Sequence, residues 1–423
     1  MDLVLTTMAK IVFLLVVILG LVPVLIWAER KGSAFIQDRT GPNRASVLGI
    51  RLGGLVHPIA DVMKLLFKED VRPANVHGVL YALAPFMVFF VSLLTYAVIP
   101  FGDYIEIGGR QIPLVVADLN VGVLYVLAIA SLGTYGVVMG GWASNNKYTF
   151  LGAVRSSSQM ISYEISMGLA IMGLIMISGS LRLTEIVADQ GRLIWGFLPA
   201  WGIVVQPLGA VLFITAVFAE TNRNPFDLPE GESELVSGYH LEYSSMKFAL
   251  FFMAEYTNLV IGSALITTLF FGGWNIPWLS RDVIMANAAV VVPLLMALKF
   301  LVFSAICVLF SRRVTREKNK FGDARNREPV LGMFVFGFLA LATLVGFALK
   351  PWTIGPEAAS LVATAMQVGA FVGKVVFFCW VFIWVRWTLP RFRYDHLMGL
   401  GWKVMLPLAL ANLVLTAIWL AFV

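Results

Sequence analysis

The segment IVFLLVVILGLVPVLIWAERKGSAF, from Ile11 to Phe35, places an uncharged apolar stretch directly beside a charged one. No charged residue occurs between Ile11 and Trp27, and about 20 apolar residues cross the hydrocarbon core of a bilayer as a helix. Because no small-residue cleavage site precedes a soluble domain, we expect a retained membrane span at residues 9–28 rather than a signal peptide.

The composition extends this expectation to the whole chain. Of 423 residues, 59% are hydrophobic and only 13% charged, whereas soluble proteins carry about 25% charged residues. An outer-membrane barrel would show alternating segments of roughly ten residues, and these are absent. We therefore expect an all-α polytopic membrane protein, a single membrane domain over residues 1–423. About ten transmembrane helices are predicted, at roughly 9–28, 79–99, 119–141, 159–178, 203–221, 246–270, 287–310, 330–349, 362–386 and 404–422.

Lysine and arginine fall mainly in alternate loops, which predicts the orientation. The richer set of loops holds Arg30, Lys31, Arg39, Arg44, Arg51, Lys64, Lys68, Arg72, Lys147, Arg155, Arg223, Lys247, the run from Arg312 to Arg327, Arg386, Arg391, Arg393 and Lys403. The positive-inside rule places these loops in the cytoplasm and both termini on the outer side. The net charge of +6 thus follows from topology and does not indicate nucleic-acid binding.

The first cytoplasmic loop contains a segment with helical periodicity. Apolar residues recur at helical spacing at Leu52, Leu55, Val56, Ile59, Met63 and Leu66, and a polar stripe consists of His57, Asp61, Lys64 and Lys68. The pattern predicts an amphipathic helix lying in the membrane interface, with Pro58 in its first turn. Its polar face either holds snorkelling charges at a lipid surface or lines a chamber entered from the membrane.

Several ionisable residues lie inside predicted spans: Glu164, Glu220, Glu255, Lys299 and Lys374. A charge at the centre of a membrane helix costs about 2.5–3.5 kcal/mol on insertion scales, so such residues face the bundle interior and pair, protonate or mark an ion route. The alternative for any one of them is a buried ion pair that serves packing alone.

The loop AETNRNPFDLPEGESE (219–234) is acidic where cytoplasmic loops are normally basic. Its acidic residues are Glu220, Asp227, Glu230, Glu232 and Glu234, with Arg223 as the one cation. Crowded carboxylates raise one another's proton affinity. The two prolines, with Phe226 and Leu228, favour a folded loop over the alternative of a solvated acidic turn.

We expect no metal or redox centre in this chain. The two cysteines, Cys307 and Cys379, both lie within predicted spans, whereas structural zinc and iron–sulfur sites use four ligands. The sequence contains no glycine-rich phosphate loop.

Several long motifs follow one another along the sequence. Together they cover most of the chain between residues 27 and 410. They are AERKGSAFIQDRTGPN (28–43), HPIADVMKLLFKE (57–69), RSSSQMISYE (155–164), AETNRNPFDLPEGESELVSGYHLEY (219–243), FGGW (271–274) and WVRWTLPRFRYDHLMGLGWK (384–403). In these motifs the chain resembles the quinone-chamber membrane subunit of respiratory complex I, the NADH–quinone oxidoreductase of bacteria.

The resemblance implies a role for each matching residue. The quinone chamber would include Glu29, Arg30, Arg39, Arg44, Asp61, Lys64, Phe226 and Asp227. A coupling path for protons toward antiporter-like subunits would include Glu164, Glu220, Glu230, Glu232, Glu234 and Glu255, with Lys374 nearby. The chain would contribute to a proton-translocating NADH:quinone oxidoreductase as one subunit.

The resemblance also implies partner molecules and a cellular location. Quinone, either ubiquinone or menaquinone, would be the substrate, and FMN and iron–sulfur clusters would sit in partner subunits. The chain would dock the peripheral arm and adjoin small membrane subunits, in contact with lipid, in a bacterial plasma membrane. Two rivals are the homologous subunit of a membrane-bound hydrogenase or formate hydrogenlyase, and a stand-alone secondary ion transporter. No inverted repeat supports the transporter.

Three features depart from the family pattern. His57 replaces a commoner glutamine, and Ser156–Ser158 replace a small apolar run. Residues from about 286 to 361 form an additional transmembrane hairpin with a basic loop from Ser311 to Arg327, which either binds anionic lipid head groups or only satisfies the positive-inside bias. Lys299 lies in this hairpin and is left out of the coupling path.

Overall fold

The computed structural model describes residues 2–107, 109–317, 327–348 and 355–422. Helices dominate these ranges, which confirms the predicted all-α membrane protein. They are α1 (Asp2–Ile36), α2 (Val56–Phe67), α3 (Gly78–Thr95), α4 (Gly122–Ala143), α5 (Lys147–Ser178), α6 (Leu183–Asp189), α7 (Gly202–Val205), α8 (Pro207–Glu220), α9 (Glu232–Leu235), α10 (Ser245–Phe270), α11 (Arg281–Ala286), α12 (Ala288–Glu317), α13 (Glu328–Ala348), α14 (Pro356–Thr388), α15 (Tyr394–Gly399) and α16 (Leu406–Phe422).

Within the described ranges, nine helices are long and apolar enough to cross a membrane. The span predicted at 203–221 is instead interrupted, because α7 ends at Val205 and α8 begins at Pro207. Proline restricts the residue before it to extended conformations, and Gln206 is accordingly non-helical at φ −132° and ψ 64°. The signal for this break was therefore Pro207 itself. The predicted interfacial helix is present as α2, with Pro58 in its first turn.

The loops group into two faces of the helix bundle. At one face, which we call the acidic-loop face, hydrogen bonds join loops that are far apart in sequence: Val71 N–H to Ser244 Oγ, His77 N–H to the Ala143 carbonyl, and Phe392 N–H to the Pro225 carbonyl. The opposite face is joined by bonds from Val123 N–H to the Leu181 carbonyl and from Gly272 N–H to Gln190 Oε1. The loops therefore alternate between faces, as the charge pattern predicts.

The opposite face also carries two small hairpins that the sequence did not predict. Strands β1 (Tyr104–Ile107) and β2 (Arg110–Pro113) pair antiparallel, with Tyr104 opposite Pro113. Strands β3 (Leu193–Ile194) and β4 (Leu198–Pro199) form a second, shorter pair. Both lie in connections between membrane helices, where turn residues rather than helical periodicity decide the structure.

Helix α10 is the most enclosed of the long helices and organises the core. Leu259, Ile266 and Phe270 on this helix are fully buried, and it packs against α1, α3 and α14. Phe218 of α8 stacks on Phe382 of α14 with ring centroids 3.9 Å apart. Because α10 is surrounded, a charged residue on it is held against neighbouring helices rather than lipid.

Helices α12 and α13 pack mainly on each other as an antiparallel pair at the edge of the bundle. Gly332 lies against the Phe310 ring, and Gly337 lies against Cys307 Sγ. Most of both helices faces outward, since little of either span is buried within the chain. Residues 318–326 of the predicted basic loop, and 349–354, fall outside the described residues. That this hairpin is an addition to the family pattern stays a prediction.

Candidate functional site

A cluster of four charged side chains lies below the acidic-loop face, two of them buried and two partly buried. Arg223, only 2% exposed, donates from Nη1 to Glu29 Oε2 at 2.9 Å, and its Nε lies 2.7 Å from Glu255 Oε1. Arg386 Nη1 lies 2.6 Å from Glu29 Oε1. Two cations and two carboxylates thus compensate one another, which is the condition under which buried charges are retained. We refer to Glu29, Arg223, Glu255 and Arg386 as the charge cluster.

Tyr256 completes the surroundings of Arg223. Its ring centroid lies 4.4 Å from the guanidinium carbon, and its hydroxyl donates to Glu29 Oε2 at 2.8 Å. A planar guanidinium suits both contacts, because it can stack on an aromatic face while its N–H groups reach carboxylates in the same plane. Lysine could not reproduce this geometry at position 223.

The loop that carries Arg223 is fixed from two sides. Gln159 of α5 donates from Nε2 to the Ala219 carbonyl at 2.7 Å and to the Phe226 carbonyl at 2.8 Å. Asn224 Nδ2 donates at 2.8 Å to the Arg386 carbonyl at the end of α14. These bonds satisfy loop carbonyls that would otherwise be buried without partners. The loop is folded, as predicted, and does not form a solvated turn.

Phe226 and Asp227 are both buried in this loop. The Phe226 ring meets Tyr163 edge-on at 5.5 Å and Phe392 at 5.4 Å. Asp227 Oδ2 accepts from Arg391 Nη2 at 2.8 Å. Burial raises the pKa of Asp227, while Arg391 acts in the opposite direction.

Gly238 closes the same loop through a backbone approach that excludes a side chain. Its φ is +66°, and a Cβ built there would lie 1.9 Å from the Pro229 carbonyl oxygen. Only glycine accommodates both the left-handed conformation and this contact. The approach brings Glu230 and His240 close together.

Glu230 and His240 face each other without forming a strong ion pair. Glu230 Oε1 lies 3.9 Å from His240 Nδ1. Burial lowers the pKa of His240 to about 4, so the imidazole is neutral at pH 7. Burial also raises the pKa of Glu230 well above its usual range, and the carboxylates of Glu255 and Asp227 raise it further. Burial and the neighbouring carboxylates therefore favour the protonated form of Glu230, and its pKa depends on nearby charge.

A cavity of about 80 Å³ lies between the charge cluster and the membrane helices. Its lining is mostly apolar, from α3, α4, α5, α8 and α10, but three carboxyl groups line it: Glu220, Glu230 and Glu255. Such a volume accommodates water where polar groups are available to bind it. Glu164 lies within electrostatic reach of Glu220 and accepts a hydrogen bond from Ser131 Oγ.

The structure therefore brings together most of the predicted coupling carboxylates: Glu164, Glu220, Glu230 and Glu255. Glu234 lies farther out, where it pairs with Arg155 at 2.7 Å, and the side chain of Glu232 falls outside the described residues.

Lys374 does not join these carboxylates, which corrects the prediction that it lies near them. Its Nζ donates to the carbonyls of Phe271, Gly273 and Asn275 at 2.7–3.0 Å, on the opposite face. Glu255 and Phe270 are 15 residues apart on α10, or about 22 Å along the helix axis. The carbonyls beyond the α10 C-terminus attract a cation, and their distance from the carboxylates follows from the helix length.

The predicted chamber residues of the first loop divide into buried and exposed groups. Glu29 belongs to the charge cluster, whereas Arg30 pairs with Asp61 of α2 at 2.5 Å on a half-exposed surface. Arg39, Arg44 and Lys64 are exposed at the acidic-loop face. His57 Nε2 accepts from the backbone N–H groups of Arg44 and Ala45, both at 3.2 Å, and so fixes this loop against α2.

Sequence reasoning missed four residues of the site: Arg223, Arg386, Arg391 and Tyr256. The available signal was Arg223 as the one cation in an acidic loop, since a lone cation among carboxylates favours ion pairing. Its partners could not be identified from spacing, because Glu29 and Arg223 are 194 residues apart.

No group of three or more potential metal ligands occurs within the described part of the chain. The two cysteines are unpaired there, with Cys379 buried beside Ser263 Oγ at 3.4 Å.

Comparison with known proteins assigns the chain to a family. The family model for NADH dehydrogenase matches residues 9–320 and 326–417. An H-type subunit of the NADH-quinone oxidoreductase from Cytophaga hutchinsonii is 42% identical over 390 residues, covering 92% of this chain and 89% of the relative. The protein of the same name from Geobacter metallireducens is 41% identical over 409 residues, or 97% and 94% of the two chains.

A third relative aligns end to end. NADH-quinone oxidoreductase subunit 8 of Rhodothermus marinus is 40% identical over 422 residues, which cover 100% of this chain and 99% of the relative. The segment 286–361 is thus shared with this relative. These matches confirm the resemblance seen in the motifs: the chain is a multi-pass membrane protein that belongs to the NADH dehydrogenase family, which includes these H-type subunits of NADH-quinone oxidoreductases.

Proposed function

We propose that this chain forms the quinone chamber of a proton-translocating NADH:quinone oxidoreductase and couples quinone reduction to proton movement. The observation that carries the proposal is the contact between two regions: the charge cluster at the acidic-loop face and the carboxylate-lined cavity among the membrane helices. Glu255 belongs to both, since it pairs with Arg223 and lines the cavity.

The chamber wall would comprise the first loop, α2 and the folded acidic loop. Helix α2 exposes large apolar side chains, including Ile59, Met63 and Leu66, as expected of a helix that lies at a lipid surface. Arg30 and Asp61 join this helix to α1 through their ion pair. An apolar quinone could thus enter from the membrane beside α2 and meet charged groups around Glu29, Phe226 and Asp227.

The exposed cations of the same face suit docking of the peripheral arm. Arg39, Arg44 and Lys64 project there and remain available to acidic groups of partner subunits. This face would be cytoplasmic and both termini would lie on the outer side of a bacterial plasma membrane. FMN and iron–sulfur clusters would be held by the partners, and the quinone would be ubiquinone or menaquinone.

Coupling would arise from charge balance. Reduction of a quinone to a quinol takes up two electrons and two protons, so proton donors near the head group change charge during the reaction. Because the charge cluster is largely shielded from bulk water, an added or lost charge nearby is weakly screened and acts strongly on it. Glu230 would respond first, since Asp227 and Glu255 already raise its pKa.

The proton would then pass through the cavity. Glu230, Glu255 and Glu220 all line it, and Glu164 with Ser131 continues from Glu220 into the bundle. Lys374 has no part in this route, because its ammonium is bound to backbone carbonyls at the opposite face.

The test replaces Glu220 and, separately, Glu255 by glutamine in the assembled complex. We expect NADH oxidation with an artificial acceptor to continue, because that reaction needs only the peripheral arm, while quinone-linked proton pumping falls. Glu185→Gln is the matched control, because Glu185 lies on the opposite face in α6, paired with Arg182. Normal pumping in both cavity variants would refute the proposed path.

Partner identity separates this function from its rivals. Purification in a gentle detergent, followed by identification of the associated subunits, should recover NADH-oxidising partners. Nickel–iron hydrogenase partners would instead assign the chain to a hydrogenase or formate hydrogenlyase, and recovery of the chain alone would favour an ion transporter.

A further inference from the structure

A second group of cations lies at the acidic-loop face, away from the charge cluster, where the α12–α13 pair meets the first loop. Glu328, at the start of α13, binds Arg51 at 2.6 Å, and both side chains are largely buried. The Gly53 N–H donates to the other oxygen of Glu328 at 3.2 Å. Trp27 of α1 donates to the Gly53 carbonyl at 3.1 Å. The hairpin is thus joined to α1 through this loop.

The register of the hairpin places Arg313 at the same height. Phe310 of α12 lies against Gly332 of α13, and the two helices are antiparallel. Arg313 is three residues beyond Phe310, about 4.5 Å along the axis, and Glu328 is four residues before Gly332, about 6 Å in the same direction. Arg313 is exposed there.

Lys31 approaches the group from α1. Its Nζ donates to the Thr40 carbonyl at 2.7 Å, which holds the ammonium at the end of the span. Lys31 is one helical turn beyond Trp27 on the same face of α1, and Trp27 is bonded to the Gly53 backbone that also binds Glu328, so Lys31 lies beside the Arg51–Glu328 pair. The Glu328 carboxylate compensates Arg51, so among the described side chains of this group Lys31 and Arg313 supply the positive charge.

The surface beneath these cations is that of a helix in contact with acyl chains. Large apolar side chains cover it, among them Leu309 of α12 and Phe334 of α13, each at least 59% exposed, and Val24 of α1, which is 41% exposed. An exposed positive group directly above an exposed apolar surface, at the end of three membrane helices, complements a molecule with an anionic head and apolar tails.

We propose that Lys31 and Arg313 bind the phosphate head group of an anionic phospholipid, whose acyl chains lie on the exposed faces of α1, α12 and α13. This site is separate from the quinone chamber and does not depend on the proposed function. Arg51 would be held in place by Glu328, while Arg313 and Lys31 would supply the charge that selects the lipid.

The test uses the assembled complex in phosphatidylcholine liposomes with photoreactive phosphatidylglycerol or photoreactive phosphatidylcholine. Labelled peptides are identified by mass spectrometry, which distinguishes labelling at this site from labelling elsewhere on the membrane surface. We expect α12, α13 and α1 to label preferentially with phosphatidylglycerol, and the preference to fall as salt is raised.

Arg313→Gln and Lys31→Gln should each reduce that preference about fivefold, since one basic residue near an anionic surface contributes about 1 kcal/mol. Arg393→Gln is the matched control, because Arg393 is an exposed cation of the same face with its own partner, Asp395. Equal labelling by the two lipids in the unaltered complex would overturn the proposal. So would an unchanged preference in Arg313→Gln and Lys31→Gln, or an equal loss in Arg393→Gln.

Discussion

Two of the buried arginines, Arg223 and Arg281, lie near opposite faces of the membrane, and their partners differ in kind. Arg223 is bound to the carboxylates of Glu29 and Glu255. Arg281, at the start of α11, donates instead to neutral acceptors: the Tyr104 carbonyl, Ser360 Oγ, Thr364 Oγ1 and Gln367 Oε1. Both guanidinium groups stack on a tyrosine ring, at 4.4 Å from Tyr256 and 3.7 Å from Tyr104.

The difference separates a responsive site from a structural one. The hydrogen-bond acceptors of Arg281 are neutral groups, and they hold β1, α11 and α14 together. The partners of Arg223 are carboxylates, and one of them, Glu255, also lines the cavity, so this site interacts with any charge that appears there. Whether a buried cation is structural or functional is therefore indicated chiefly by whether its partners are neutral or charged.

The largest expected effect is that of Arg223→Met. This substitution leaves Glu255 buried without its cation, which costs about 3–5 kcal/mol in the free energy of unfolding. Thermal unfolding of the detergent-solubilised complex measures the loss. The double variant Arg223→Met with Glu255→Gln should recover part of it, because Arg386 still compensates Glu29. No recovery in the double variant would show that packing on Tyr256, rather than charge, is what Arg223 supplies.

Arg281→Met should lower the free energy of unfolding by less, about 1–3 kcal/mol, because it leaves neutral acceptors, rather than a carboxylate, without a partner. A larger loss for Arg281→Met than for Arg223→Met, in the same unfolding assay, would reverse the comparison.

Lys374→Met extends the comparison to the lysine of the opposite face. Removing the ammonium leaves three carbonyls without this donor, and we expect a cost of about 1–3 kcal/mol. Proton pumping per NADH oxidised should remain unchanged in complexes that assemble. Lys374→Arg, which keeps the charge, is the control. A loss of pumping in stable Lys374→Met complexes would return this lysine to the coupling path.

The smallest effect concerns His240 and pH. Because its pKa is lowered from 6.5 to about 4, the unfolded chain binds more protons below pH 6.5, and stability is lost as pH falls from 6.5 toward 4. The loss from this residue is about 1 kcal/mol at pH 5.5. His240→Gln should flatten the fall in melting temperature across that window. An unchanged slope would mean that the imidazole is protonated in the folded protein.

Much of the fold could be predicted because its determinants are local. Runs of apolar residues fix the membrane helices, and the stripe from His57 to Lys68 fixes α2. The break at Gln206 was local too, but the apolar composition on both sides of Pro207 concealed it. The small hairpins of the opposite face depend on turns between spans, where hydropathy carries little information.

The site was predictable only where its residues are adjacent in sequence. The acidic loop and the intramembrane carboxylates could be identified from residue type and depth in the membrane. Their pairing could not, because Glu29, Arg223, Glu255 and Arg386 come from four different segments. A charge at mid-span predicts that Lys374 avoids lipid, but it does not predict the partners of this lysine. They are backbone carbonyls just beyond the end of α10, and these partners decide its role.

The α12–α13 pair has a consequence for how the chain can be shortened. Helix α11 before it and helix α14 after it are already adjacent, since Arg281 Nη2 lies 2.8 Å from Ser360 Oγ. Two antiparallel spans return the chain to the face from which it left, so excision of residues 288–354 would preserve the direction of every other helix. Such a deletion would have to change Arg51 as well, because the pair carries away Glu328 and leaves a buried guanidinium without its carboxylate. We therefore expect a homologue that lacks the hairpin to carry an uncharged residue at the position of Arg51.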